Sequence, residues 1–215
     1  MFSSSQVPAK KEVHNLIFPN NPQAGIILLP AAEAADFKNL CSRGAIDSHT
    51  NILMVERDGK AFEFMKNSVK KTYCQSKNLN FIHNHLHRVS IPFPIDLAFI
   101  DFCGNIGRKE YDWLKFKLSP KIINGGSVSI TIALPIRQTN FITSYIGSRW
   151  IDCKYEYLQM INYIRDQSEC AYEREIAAYY VMLKEIFPQC HMDKLQYRSK
   201  KYTMVVFQLT DIVKD

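Results

Sequence analysis

Short, unbroken apolar runs recur along the chain, each ended by charge, glycine or proline, with stretches of helical spacing between them. "GIILLP" (25–30) is the first run, and Pro30 stops it. "AAEAADFKNLCSRG" (31–44) follows with good helix formers and ends on Gly44, a favourable helix stop. Pro30 or Ala31 reads as the first helical position, which puts Glu33 in the first turn, where the helix dipole favours a carboxylate. "NILMVERD" (51–58) is a second run that ends in charge. In "KAFEFMKNSVKKTYC" (60–74), Phe62, Met65, Val69 and Tyr73 fall at helical spacing. "LNFIHNHL" (79–86) and "IDLAFID" (95–101) read as further strands. "RKEYDWLKFKLS" (108–119) reads as a helix closed by Pro120. "GGSVSITIALP" (125–135) reads as a strand entered through two glycines. "CAYEREIAAYYVMLKEIF" (170–187) is strongly helical, and two β-rich runs flank the basic turn "RSKK" near the end, as in a closing hairpin.

Runs apolar throughout, rather than alternating, suit strands buried on both faces. Alternation of such strands with helices predicts an α/β three-layer sandwich with a mostly parallel sheet and a C-terminal antiparallel hairpin. Strands are expected near 26–30, 51–56, 79–83, 96–101 and 127–133. Residues 1–24 are polar, carry Pro8, Pro19 and Pro22, and read as an N-terminal arm; 25–215 reads as one domain. In open sheets of this kind ligands sit outside the carboxyl ends of the strands, near the point where strand order reverses. Pro30 to Glu33, Glu56 to Asp58 and Asp101 to Asn105 are therefore expected to converge on one crevice.

Composition does not disturb this picture. Of 215 residues, 47% are hydrophobic and 22% charged, an ordinary globular balance that can bury a sizeable core. There is no run of about 18 apolar residues, so no membrane-spanning helix is expected. "MFSSSQVPAKKEVHN" has no apolar segment of the kind that marks a secretory leader. The six cysteines are scattered without a C-x-x-C pair, which suits reduced thiols in the cytoplasm better than a disulfide framework. A net charge of +6 permits an anionic partner without demanding one. Oligomeric state is not legible.

The order of these elements resembles that of the Rossmann-like (class I) SAM-dependent methyltransferases. The likeness spans 25–215 and rests on "LMVERD", "LAFIDFCG", "INGGSVSITIAL" and the final pair of strands. It implies a seven-stranded sheet whose seventh strand lies between the fifth and sixth. It implies S-adenosylmethionine (SAM) as cofactor, with Glu56 on the ribose hydroxyls and Asp101 beside the methyl group as the catalytic residue. Pro30, Ala31, Glu33, Arg57, His83, Asn84 and Phe102 complete the implied cofactor shell, Glu33 reaching the cofactor's amino group and His83 or Asn84 its adenine edge. Cys103, Asn105, Arg108, Lys109, Arg198, Lys200 and Lys201 stand on the implied substrate side, the cations serving the phosphates of a nucleic acid or another anion. Gly104 and Gly107 are expected to let the loop turn over the site.

Two departures from the family pattern matter. "LLPAAEAADF" replaces the usual glycine-bearing first loop, and alanine takes positive φ only at a cost. "DFCG" keeps an acid and an aromatic residue but lacks the two prolines of the amino-methylating type, and Cys103 lacks the Pro-Cys context of a nucleophile. His83, His85 and His87 alternate, so on one strand they would share a face, yet adjacent same-face positions lie roughly 7 Å apart and splay too widely for one ion. They read as polar loop residues, and no metal is expected. Two functions follow: methyl transfer from SAM, or a methyltransferase-fold binding module that has lost its cofactor.

Overall fold

A computed structural model describes residues 25–30, 33–72, 74, 76–102, 104, 106–135, 171–198 and 202–214. Its strands are β1 (Gly25–Leu28), β2 (Asn51–Glu56), β3 (Leu79–His83), β4 (Ile95–Asp101), β5 (Ile122–Pro135), β6 (Gln189–Arg198) and β7 (Tyr202–Val213). The helices are α1 (Ala35–Ser42), α2 (Gly59–Lys70), α3 (Arg108–Trp113) and α4 (Ala171–Ile186). They build one seven-stranded sheet in the order β3-β2-β1-β4-β5-β7-β6. β1 to β5 run parallel, and β7 pairs antiparallel with both β5 and β6. The last strand does insert between the fifth and sixth. The predicted arm at 1–24 lies outside the described residues.

Side-chain parity divides the core into two layers. Ile26, Leu28, Ile52, Met54, Leu97 and Phe99 face α1 and α2 and pack with Phe37, Leu40, Met65 and Val69. Ile27, Leu53, Val55, Ala98 and Ile100 face the other way and pack with Trp113, Leu114, Val181 and Leu183 from the α3 and α4 side. Every residue of β1 is buried, so this strand is apolar on both faces because both are covered.

Four element boundaries differ from the sequence expectation. β1 stops at Leu28, two residues short of Pro30, and α1 starts only at Ala35. The cause is Ala34, a fully buried residue held at φ 49° and ψ 40°. A left-handed alanine interrupts the helical spacing that the sequence suggested, at a strain of roughly 1–2 kcal/mol. Glu33 consequently lies in a turn before the helix rather than in its first turn. β5 begins at Ile122, so the two glycines lie inside it. A register shift falls between Gly126 and Val128, Gly125 has φ 78°, and a Cβ on Gly126 would lie 2.8 Å from Ile122 Cγ2. These glycines make a bulge, and they are not an entry turn. Finally, the helix at 108–119 remains α-helical only to Trp113, passes through a π turn (Leu114–Leu118) and ends in a 3-10 turn (Ser119–Lys121). Pro120, which lacks an N–H and crowds the preceding turn, accounts for that ending.

α3 and α4 are tied by a half-buried cluster. Lys115 Nζ donates to Glu185 Oε1 at 2.6 Å and to Tyr111 Oη at 3.0 Å, while Tyr111 Oη–H donates to the same Glu185 oxygen at 2.8 Å. The Tyr111 hydroxyl is pushed up to about 12, chiefly by burial. A phenol whose folded value lies above its unfolded one adds stability that is complete below about pH 10 and is lost as pH rises through the folded value. Thermal melts from pH 9 to 12 should therefore fall less steeply for Tyr111→Phe than for the wild type. Parallel curves would remove Tyr111 from this role.

Candidate functional site

The register fixes where the strand-end carboxylates lie. Leu28 of β1 is level with Met54 of β2 and with Phe99 of β4. Glu56 and Asp101 each stand two residues beyond that row, the last residues of their strands. They therefore share one level and one face, the side of α1 and α2, with β1 between them. Strand spacing puts their backbones roughly 10 Å apart. Strand order reverses at β1, whose neighbours are β2 and β4, so both acids flank the switch point.

Each is there for a local reason. Ile52–Val55 of β2 and Leu97–Ile100 of β4 are buried, and carboxylates stand only outside those stretches, Asp96 before the second and Glu56 and Asp101 at the exits. Glu56 Oε1 accepts the Asp58 N–H at 2.8 Å, and Asp58 in turn caps α2 by accepting the Ala61 N–H at 2.8 Å. This chain of bonds orients the Glu56 carboxylate. Asp101 is half-buried, and its register neighbour in β5 is Thr131, itself buried. The N-cap of α3 is Gly107, with no side-chain bond, so Asp101 does not cap that helix.

The other expected site residues divide. Pro30 is buried at the exit of β1, and Glu33 and Arg57 are exposed at the same end of the sheet. His83 closes β3, with Nε2 3.1 Å from the Arg57 carbonyl and its ring stacked on Phe62 at 5.1 Å. Its imidazole edge is thus already used by the β2–α2 turn. Asn84 donates its N–H to the Glu56 carbonyl at 3.1 Å, and its Oδ1 accepts the His85 N–H. The backbone at Phe102 and Gly104 keeps bonding to β5, through Phe102 N–H to the Thr131 carbonyl and Ala133 N–H to the Gly104 carbonyl. Gly107 is extended at φ −85° and ψ 179°. The backbone at Phe102 and Gly104 thus stays beside β5, while Cys103 and Asn105, on which the expected turn also depends, lie outside the described residues.

Arg108 and Lys109 are exposed at the start of α3, Arg108 Nε donating to Asp112 Oδ2 at 2.8 Å. The backbone of Arg198 pairs with Thr203, and Thr203 pairs with Leu134, three residues past Thr131. The last residue of β6, Arg198, and the first of β7, Tyr202, therefore come to the same end of the sheet as Asp101. Ala31, Cys103, Asn105, Lys200 and Lys201 lie outside the described residues. The three alternate histidines do not share a strand, because β3 ends at His83 and a 3-10 turn occupies Leu86–Arg88. His87 sits 3.9 Å from Glu110 Oε1, and burial and the nearby Lys109 charge hold its imidazole below the ordinary value. Thr131 belongs to this end of the sheet and was not anticipated, and neither was the capping bond of Asp58, since register and capping partners have no signature in an unaligned sequence.

No family profile and no curated protein matches the chain. Solved structures do. One, from Clostridium thermocellum and described as a proposed rRNA methylase, aligns with a TM-score of 0.60 at 8% identity, over 96% of this chain and 97% of that one. The fold is that of the class I methyltransferases. The N-methyltransferase NodS from Bradyrhizobium japonicum WM9 aligns at 0.56 and 9%, over 97% of this chain and 99% of its own. A methyltransferase from Pyrococcus furiosus aligns at 0.52 and 10%, over 95% and 83%. At such identities the likeness is one of fold. No helix among the described residues is long and apolar enough to cross a membrane.

Proposed function

We propose that this chain binds SAM outside the carboxyl ends of β1, β2 and β4 and transfers its methyl group to a nucleophile on an anionic substrate, nucleic acid being the class that suits its cations. The observation that carries this reading is the pairing of Glu56 and Asp101 on one row and one face at the switch point of a methyltransferase-type sheet. The donor set fits the group. SAM presents a ribose diol, an amino group and a sulfonium, and oriented carboxylates accept bonds from the first two and attract the positive charge of the last. NodS, of like fold, has been crystallised with S-adenosyl-L-homocysteine (SAH).

The residues divide the work as follows. Glu56 holds the ribose hydroxyls with the oxygen that Asp58 leaves it. Asp101 holds or deprotonates the nucleophile. Pro30 and Phe102 line the crevice, with Glu33, Arg57, His83 and Asn84 at its rim. Arg108, Lys109 and the basic β6–β7 turn draw in the substrate. SAM supplies a methyl group already activated on sulfur, so the chain contributes mainly proximity and orientation. The scattered cysteines suit a reducing compartment such as the cytoplasm.

A binding module without cofactor is the second reading, favoured by the strained, buried Ala34 where the fold commonly has glycine. Calorimetry with SAM and SAH separates the two. Glu56→Ala should weaken SAM about tenfold to a hundredfold, the worth of hydrogen bonds to a charged acceptor. No heat with the wild type at millimolar SAM would leave the module reading standing.

A further inference from the structure

The segment between β4 and β5 runs the length of the sheet. It starts at the crevice end, where the Gly104 carbonyl still bonds to Ala133 of β5, two residues beyond Thr131. It finishes at the opposite end, where Ile122 of β5 is level with Ile95, the first residue of β4. Its inner side is apolar, with Trp113, Leu114 and Leu118 buried. Phe116, midway between the two leucines in the π turn, is turned away from them and is 63% exposed. One exposed phenyl ring is ordinary in itself, and its setting is what informs. Lys115 Nζ lies 5.9 Å from the Phe116 ring centroid, and that ammonium is pinned at 2.6 Å to Glu185. The ring therefore rests against a fixed cation and keeps the rest of its surface open to solvent. Asp112 is matched by Arg108 and Glu185 by Lys115, while Glu110 lies 3.9 Å from His87. Lys109, Lys117 and Lys121 are exposed and pair with no acid among the described residues. Lys214, reaching in from the end of β7, donates from Nζ to the Pro120 carbonyl at 2.8 Å and adds to that positive charge. The outer side of this segment is thus a ridge that holds an open aromatic face among surplus cations.

We propose that this ridge is a docking surface for single-stranded nucleic acid, with Phe116 as the stacking platform for one base and Lys109, Lys117, Lys121 and Lys214 on the flanking phosphates. The inference deepens the reading of the crevice given above and rests on it for the choice of an anionic substrate. The chemistry selects the partner. Every base has a π face, so stacking on a phenyl ring tolerates any sequence, but it needs a base free of its duplex partner. A duplex keeps its bases stacked on one another and offers the ridge mainly phosphates, which leaves Phe116 unused. An anionic membrane would also attract the lysines, but the ridge presents one ring where an interfacial helix presents a whole apolar face. From Lys109 to Lys121 the ridge spans roughly 18 Å at the helical rise. It descends from the crevice end of the sheet, so a strand whose target nucleotide enters the crevice can lay its neighbours along it. A π turn within a helix is a frequent mark of a functional place, and here it carries the ring.

The test is fluorescence anisotropy of a labelled single-stranded RNA of mixed sequence, roughly 12 nucleotides long, with the full chain and without SAM. Phe116→Ala should weaken binding about fivefold to a hundredfold, the worth of one stacked base, and Phe116→Trp should restore it. The ring is exposed, so its removal should leave the melting temperature and the SAM calorimetry unchanged. Lys117→Gln and Lys121→Gln should each reduce the slope of log affinity against log salt by about 0.7. The same RNA annealed to its complement should show no dependence on Phe116. Absence of RNA binding by the wild type, equal affinity of Phe116→Ala and wild type, or equal loss with the duplex would each overturn the proposal. So would binding to phosphatidylserine vesicles that Phe116→Ala abolishes while RNA binding stays intact. SAM binding together with RNA binding indifferent to Phe116 would remove the platform alone. RNA binding that depends on Phe116, without any SAM binding, would keep the platform and remove methyl transfer.

Discussion

Asp101→Asn should leave the protein folded with its melting temperature nearly unchanged, yet weaken SAM binding about tenfold to a hundredfold. The magnitude is that of one hydrogen bond or close charge contact to an ionised group, about 1.5–3 kcal/mol. Stability should hold because the carboxylate sits at the exit of β4, half-buried, and does not cap α3, whose N-cap Gly107 has no side-chain bond. A structural cap would instead cost about 0.5–2 kcal/mol of stability and leave affinity alone. The comparison of two ligands sharpens the test. SAM carries a sulfonium charge and SAH does not, so removing a carboxylate beside that sulfur should weaken SAM more than SAH. Methyl incorporation from labelled SAM into a total-RNA pool should fall further, by about 10²- to 10⁴-fold, if Asp101 also takes the substrate's proton. A variant with normal SAM affinity and a lowered melting temperature would show that Asp101 serves the fold and not the site.

Glu56 and Asp101 were legible in the sequence because burial left no other place for them. In a run such as "IDLAFID" the acids stand outside the buried stretch Leu97–Ile100, Asp96 at its entry and Asp101 at its exit, so the exit is marked by the first charge after the apolar stretch. A mostly parallel sheet followed from the alternation of strands and helices, and the place of the seventh strand from the family resemblance. What stayed hidden depends on backbone conformation or on pairing. Ala34 has no mark of a left-handed residue, so helical spacing ran straight through it and placed Glu33 a turn too late in the fold. "NGGSVS" looks like a turn before a strand, but pairing with β4 begins earlier, at Ile122, and the glycines absorb a bulge. Nor could the sequence show that Glu56 and Asp101 share a face. That follows from the registers of β1 with its two neighbours, which the strands settle only by packing.

The largest loss of stability should come from Trp113→Ala, at about 3–5 kcal/mol, which for a chain of this size lowers the melting temperature by roughly 10 °C. Trp113 is 2% exposed and is the bulkiest of the buried side chains among the described residues. It packs where α3 gives way to the π turn, among Val89, Ile91, Leu114 and Leu118 in the layer beneath β4. Its indole N–H donates to the Val89 carbonyl at 2.9 Å, in the connector that leads from β3 into β4. Alanine would remove both supports, opening a cavity and leaving a buried carbonyl without its donor. Trp113→Phe separates these terms, because it keeps most of the ring volume and removes only the donor; its loss should be smaller, about 1–3 kcal/mol. The connector it fastens delivers β4, so the tryptophan supports Asp101 from the opposite face of the sheet without touching the crevice. Urea unfolding of the two variants reads the difference, and SAM affinity measured well below the midpoint should stay near the wild-type value in both. Equal losses for alanine and phenylalanine would mean that the hydrogen bond, and not the packing, fixes this corner of the fold.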